Sequence, residues 1–446
     1  MRKYSFSIIL TVLFVVSICI SSCKKNKPQA EYFSQPATYS ATVKMLNNVV
    51  LENNFPPMIA ARNYVYACIA GYECMVAGDS SYQSLSGQIK HLPPMPAPSD
   101  PTNIDFYLAS LLAFTKVGNA VTFPDGSLMY HYDELLKKAD SAGMSEERVN
   151  ATKLFSDTIA ASILAWSKKD RYGATRGAPK YEFKAQEERW APTPPMYSTA
   201  VEPHWKKIRP MVLDTAFMFE IPPPPIYDVN NKNSVYYKAL LEVKNIGDSL
   251  TKEQKHIADC WDDNPFRMNV SGHVMYATKK FSPPGHWLNI VGIAAHHVKA
   301  DFSQTVAAYA LTSIAFFDAF IRAWEEKFKS NYVRPETIIN KYLDPYWRPY
   351  IQTPPFPSYV SGHATNSAAA AETMTYCFGD KLSFMDTSLV EFGIPARKIE
   401  SFRKAAEEAA MSRLYGGIHY RFDNEEGLKV GKQVGQLVVS RLRMKK

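Results

Sequence analysis

The sequence predicts an all-α protein made of two packed helical bundles. Apolar residues recur at three- and four-residue spacing along most of the chain, and the alternation of a half-buried strand is hard to find anywhere. The thirty prolines gather in connectors rather than inside the periodic stretches. A chain of 446 residues that is 46% hydrophobic and 13% aromatic buries enough surface for one large domain or two medium ones, and its body is not the kind that stays disordered.

Taken in order, Tyr39 to Ala77 reads as a long, apolar-rich helical stretch, and Ile104 to Val117 carries helical spacing. Ser145-Glu146-Glu147 opens a further helix that runs to Lys168 through Leu154, Ile159, Ile163 and Leu164. Proline clusters at Pro93 to Pro101, Pro192 to Pro195, Pro222 to Pro225, Pro283-Pro284 and Pro354 to Pro357 exclude helix and force extended, surface-running backbone. Two halves follow, 39–233 and 234–446. The first ends in a Pro- and Trp-containing crossing from Trp190 to Tyr227, and no repeat of fixed period links them.

The first 38 residues read differently. Arg2 and Lys3 precede an apolar run from Ile8 to Ile20, which ends in Ser21-Ser22-Cys23. A basic start, a short apolar run and small residues describe a secretory signal, here over 1–22. The run is shorter than the roughly 20 residues of a spanning helix, and its ending resembles a bacterial lipoprotein lipobox with Cys23 as the lipidated residue. Residues 23–38 then form a flexible tether. The expectation is an exported lipoprotein of a bacterial cell envelope, periplasmic or outer membrane, held to the membrane by its lipid alone. Cys68, Cys74, Cys260 and Cys377 show no disulfide or zinc spacing and read as buried free thiols. A net charge of +8, scattered along the chain and without a nucleic-acid motif, suits a small anionic substrate better than a nucleic acid.

Three segments of the last third carry chemistry. In Lys327-Phe328-Lys329-Ser330-Asn331-Tyr332-Val333-Arg334-Pro335, a helix from Gln304 passes Trp324 and Lys327 and breaks before Pro335, so Lys327 and Arg334 can converge. In Pro357-Ser358-Tyr359-Val360-Ser361-Gly362-His363, prolines fix an extended approach and a helix starts near Ser361. Its unpaired N–H groups and dipole favour an anion, the Ser361 hydroxyl can donate, and Gly362 permits close approach. Ser361 is equally suited to be an ordinary N-cap. In Ser412-Arg413-Leu414-Tyr415-Gly416-Gly417-Ile418-His419-Tyr420-Arg421-Phe422-Asp423, a helix from about Ile399 ends at the paired glycines and His419 falls in the turn. Asp423 reads either as the next N-cap, boxed by Glu426, or as the group that orients His419.

Lys-x6-Arg-Pro, then Ser-Gly-His, then Ser-Arg-x5-His-x3-Asp resembles the superfamily of vanadium-dependent haloperoxidases and type 2 phosphatidic-acid phosphatases. Trp190-Ala191-Pro192-Thr193-Pro194-Pro195 and Glu202-Pro203-His204-Trp205 look like the connector of its bacterial haloperoxidase-like members. The resemblance implies an all-α acid phosphatase/vanadium haloperoxidase-like fold. It also implies an oxyanion, vanadate or phosphate, held by Lys327, Arg334, Ser361, Gly362 and Arg413. His419 would be the ligand on vanadium or the nucleophile on phosphorus, with Asp423 behind it, and His363 the general acid–base. The family usually has proline immediately before Ser-Gly-His; Val360 here loosens that loop.

Trp324, one helical turn before Lys327, and Phe356 resemble the aromatic halide-pocket residues of vanadium chloroperoxidases, and both also fit as plain core aromatics. They favour a vanadate-dependent peroxidase that uses hydrogen peroxide to oxidise a halide. The alternative is an acid phosphatase acting on phosphate esters through a phosphohistidine, which needs no cofactor. A non-catalytic surface-binding lipoprotein, the third reading, supplies no reason for these cations and histidines to occur together.

Overall fold

The computed structural model describes residues 31–122, 126–265, 267–271 and 273–446. The expected signal segment, Cys23 and the expected tether up to residue 30 lie outside the described residues. Where the tether was expected to run to residue 38, helix α1 (Pro36–Glu52) already begins, with proline in its first turn. The long stretch from Tyr39 to Ala77 is divided between two helices. Asn54 turns the chain at φ 55°, and Pro57 starts α2 (Pro57–Gly78). Two adjacent prolines remove the backbone donors that a continuous helix needs.

Helices α3 (Phe106–Val121), α4 (Ser127–Ser141), α5 (Glu146–Ser167) and the short α6 (Tyr172–Arg176) complete the N-terminal bundle. Asp105 and Ser145 cap α3 and α5, accepting from the N–H groups of Leu108 and Arg148. After the crossing, Ser234 caps α7 (Val235–Asp248) and a Thr251–Gln254 capping box opens α8 (Lys252–Cys260). Then come α9 (Pro283–His297), α10 (Phe302–Ser330), α11 (Pro335–Tyr342), α12 (Gly362–Phe378), α13 (Phe402–Tyr415) and α14 (Arg421–Arg441).

Strands do occur, as two antiparallel hairpins too short to show alternation in sequence. β1 (Arg267–Ser271) pairs with β2 (Val274–Thr278) from Arg267↔Thr278 to Ser271↔Val274. β3 (Phe384–Asp386) pairs with β4 (Arg397–Ile399), Phe384 opposite Ile399.

α10 organises the molecule. It packs on α2 of the first bundle and on α12 of the second, so one continuous hydrophobic core joins the two halves. By length and composition α10 could cross a membrane, but its whole apolar window is buried inside the protein, the position of a core helix. Its Asp318 carboxylate accepts from the N–H groups of Met211, Val212 and Leu213 at 2.7–2.8 Å, which pins the crossing to the core. The other close pairing is α12 with α14. Gly427, Gly431 and Gly435, spaced four residues apart, form a stripe on α14 that faces the alanine-rich α12. A Cβ on Gly431 would meet the Thr365 carbonyl oxygen at 2.1 Å. Side chains larger than hydrogen would push the two helices apart.

The four cysteines within the described residues are free, and Cys68, Cys74 and Cys260 are buried.

Candidate active site

Three backbone hydrogen-bond straps bring the motif segments together. Ser358 N–H donates to Tyr332 O at 2.9 Å, linking the α10–α11 turn to the proline loop. Ser361 N–H donates to Asp423 O at 2.9 Å, linking the start of α12 to the start of α14. Ile351 N–H donates to Gly416 O at 3.0 Å, tying the end of α13 to the same proline loop. The crossing lies beneath them: Trp190 N–H donates to Asn331 O and Val201 N–H to Pro355 O, so this irregular segment holds two of the three motif segments in place.

The groups converge on a cavity of about 90 Å³ whose lining includes Trp324, Phe356, Gly362, His363, Arg413 and His419. That volume holds a few waters or one small tetrahedral anion. Lys327, Arg334 and Ser361 lie just behind the lining and are wholly buried. Lys327 Nζ donates to the carbonyls of Pro357 (2.8 Å) and Ser358 (3.0 Å). Arg334 donates from Nε to Phe356 O (2.9 Å) and from Nη1 to Ile418 O (2.7 Å), while its buried Nη2 has no partner. Arg413 donates to Ser412 Oγ and to the carbonyls of Trp261 and Asp262, so its guanidinium is braced by backbone beside the cavity.

None of these three cations forms an ion pair with a carboxylate among the described residues. Burial, with Arg334 as a like charge, lowers the Lys327 ammonium well below its ordinary range. Burial brings Arg334 down to about 9 and Arg413 down to about 10. Nearby carboxylates offset this only in part, Asp423 for Lys327 and Arg334, and Asp262 and Asp263 for Arg413. Three buried positive groups without a contacting carboxylate therefore remain costly unless an anion joins them.

Ser361 both caps α12, accepting from Ala364 N–H at 3.3 Å, and keeps its hydroxyl hydrogen free to donate. Space at Gly362 is tight: a Cβ there would meet the Trp324 ring at 3.0 Å, so the ring would have to give by a few tenths of an ångström. Val360 is fully buried, so the position that is usually proline remains packed.

Asp423 is not an N-cap. Tyr420 takes that place, Asp423 stands at the third helical position, and its Oδ2 accepts from Tyr420 N–H at 3.2 Å. Glu426 pairs with Lys429 instead of closing a box. The same Asp423 oxygen lies 2.8 Å from His419 Nδ1 and accepts from the Ser358 hydroxyl. A carboxylate can only accept, so Nδ1 carries the proton and Nε2 is left as the basic nitrogen, 3.0 Å from Arg334 Nη1. Burial, then Arg334 and Lys327, hold His419 well below its ordinary value. Burial pushes Asp423 up to about 6, against the pull of Ser358 and Lys327.

His363 is 9% exposed, and burial together with Arg413 lowers it to about 4. It rests neutral at neutral pH, rather than poised near neutrality as its residue type alone suggests. Its Nε2 is 3.2 Å from Asp263 Oδ2, an ion-pair distance reached at an angle too bent for a full hydrogen bond. Trp324 and Phe356 pack at 5.0 Å between ring centroids, and the Phe356 ring lies about 5 Å from both Lys327 Nζ (5.0 Å) and Arg334 Cζ (5.1 Å). They are core aromatics that also wall the cavity.

Sequence reasoning missed Ser358, Trp261, Asp263 and His286. Ser358 lies within the second motif segment, where its residue type gives no sign that its hydroxyl donates to Asp423. The others belong to segments with no recognisable pattern, and no spacing in the sequence points to them.

The C-terminal part of the chain, residues 340–445, matches the family described as VCPO second helical-bundle domain. A structure described as the first bacterial vanadium-dependent iodoperoxidase is similar to this one with a TM-score of 0.86 and 38% identity, covering 93% of this chain and 98% of that one. Holo and apo structures of a bacterial vanadium-dependent chloroperoxidase share the fold at TM-score 0.65. They have 17% and 18% identity and cover 87% of this chain and 92% and 95% of theirs. Curated proteins gave no match.

Proposed function

The chain belongs to the vanadium-dependent haloperoxidase superfamily, and from that premise we propose that it is a vanadate-dependent haloperoxidase that oxidises halide with hydrogen peroxide. The observation that carries this reading is the charge of the site. Lys327, Arg334 and Arg413 are buried around a small cavity with no carboxylate partners, beside a histidine whose Nε2 is kept unprotonated.

These donors fit a tetrahedral oxyanion. Arg334 keeps a buried N–H with no partner, Lys327 keeps one beyond its two carbonyl contacts, and Ser361 and the Gly362 N–H add neutral donors. His419, held through Nδ1 by Asp423, would supply the single nitrogen ligand. Bound vanadate supplies a Lewis-acidic centre that activates peroxide towards halide.

The chain's own residues do the rest. Asp423 fixes the tautomer and orientation of His419. His363, neutral at rest with Nε2 turned to Asp263, accepts a proton at Nδ1 and returns it, and a bound anion raises its basicity by offsetting the field of Arg413. Trp324, Phe356 and Phe320 exclude water from one side of the cavity. The 38% identical relative is named an iodoperoxidase, which makes iodide the first halide to try.

The test is reconstitution of the purified protein with orthovanadate. Peroxide-dependent oxidation of iodide or bromide is expected, and His419→Ala should abolish it. If no halide is oxidised while p-nitrophenyl phosphate is hydrolysed and vanadate inhibits that hydrolysis, the protein is a phosphatase of the same superfamily. For the cell envelope, we propose the lipid-anchored arrangement read from the N-terminus, tested by labelling with a fatty-acid analogue and its loss in Cys23→Ala.

A further inference from the structure

Beside His363, a second line of buried charge begins at Asp263 in the cavity's own lining and runs away from it. Asp263 Oδ1 is 2.9 Å from His286 Nδ1, and His286 Nε2 is 2.8 Å from Asp386 Oδ2. The imidazole is fully buried and stacks on Trp261 at 4.7 Å between centroids. A neutral imidazole has one N–H, and ionised carboxylates only accept, so hydrogen bonds at both nitrogens require both to be protonated.

We propose that His286 is a positioning residue for the reaction: a permanent imidazolium that cross-links Asp386 to Asp263 and so holds Asp263 as the fixed partner of His363.

Its surroundings are built for this. Gly285 lets α9 press onto the first bundle, since a Cβ there would meet Asn47 Oδ1 at 2.3 Å, and Asn47 Nδ2 donates to Gly285 O at 3.0 Å. That contact sets where His286 enters the core. Asp263 is held in the left-handed region at φ 45°, a conformation costing an aspartate about 1 kcal/mol or more. It turns one carboxylate oxygen to each histidine. Asp386 is steadied by Ser388 N–H at 2.9 Å. The ionisable groups that act on this line are Cys260 from α8, His363 from α12 and Arg413 from α13. Burial opposes charge on His286, yet the two carboxylates raise it to about 10, and the two histidines hold Asp263 well below its usual range although burial opposes this.

The consequence is electrostatic. Asp386, His286 and Asp263 carry one net negative charge next to His363. Replacing His286 by a neutral group makes it two, and neutralising Asp386 makes it zero. His363 should therefore become more basic in His286→Gln and less basic in Asp386→Asn, each by about one pH unit.

The test begins with the wild-type protein, free of vanadate, with ¹⁵N-labelled histidine rings. His286 is expected to show two protonated nitrogens up to at least pH 8; a neutral tautomer at pH 8 overturns the proposal. With folding checked by circular dichroism, the His363 titration in the two variants should shift in opposite directions, and the activity–pH profile with it. Lower activity with an unmoved His363 titration would reduce His286 to a packing residue and overturn the proposal. The activity readout rests on the acid–base role given to His363 above. The ring spectra do not, so failure of that role and failure of this one are distinguishable. If neither variant folds, the wild-type spectrum alone decides.

Discussion

His419 and Asp423 stand one helical turn apart, with Nδ1 of the histidine 2.8 Å from Oδ2 of the carboxylate. The same oxygen takes the N–H of Tyr420 and the hydroxyl of Ser358, so one acid closes the first turn of α14 and fixes a ring. Asp423→Ala should weaken vanadate binding by about 10- to 100-fold, the usual cost of losing a partner behind a ligating histidine. Calorimetric titration with orthovanadate measures it; affinity within twofold of wild type would remove Asp423 from that role.

Burial holds the site's cations at lowered basicity, which makes anion binding proton-linked. Lys327 lies below its ordinary range because of burial and Arg334, and His363 lies at about 4. A bound anion raises both. Between the free and bound values the complex holds more protons than the free protein, so binding takes up protons and weakens as pH rises through that window. Titrations in two buffers of different ionisation enthalpy give the number directly. Once the anion's own ionisation is subtracted, net uptake is expected; net release would contradict the burial of Lys327.

His363 also makes the vanadate-free protein sensitive to acid. Its folded value of about 4 lies below the unfolded value near 6.5, so the unfolded chain binds more protons between them. Stability should fall as pH drops through that range, by up to about 3 kcal/mol from this group. Asp423, raised to about 6, acts in the opposite sense, so the contrast between wild type and His363→Gln isolates the histidine. Urea midpoints at pH 7 and pH 4 should differ less in His363→Gln than in wild type.

Gly431→Ala tests the helix pair that carries the site. The new methyl would lie 2.1 Å from Thr365 O, so α12 and α14 must separate. A loss of about 1–3 kcal/mol is expected. Because Ser361 and His363 begin α12 and Asp423 begins α14, activity should fall further than melting temperature alone predicts. Full activity with an unchanged melting temperature would show that the helices can part without moving the site.

The sequence by itself determined the helical class, the three motif segments and the residues that bear their charge. Those features are local. Pro335 ends one helix and starts the next, Ser361 accepts the first N–H of α12, and Gly416-Gly417 stop α13, each through short-range backbone chemistry. Ordered together, they also carried enough pattern to match a known family. Local signals failed where two roles shared one residue type. Asp423 reads as an N-cap from its position before a helix, and only the geometry shows it at the third helical position, bound back to His419. Tertiary structure alone decided the rest. Asp263, His286 and Asp386 come from three segments with unremarkable sequences, separated by 23 and 100 residues. No periodicity or spacing links them, because their contact depends on where α9 is pressed against the first bundle. The basicity of His363 was likewise beyond the sequence: burial and the field of Arg413 set it, and both exist only once the helices have packed.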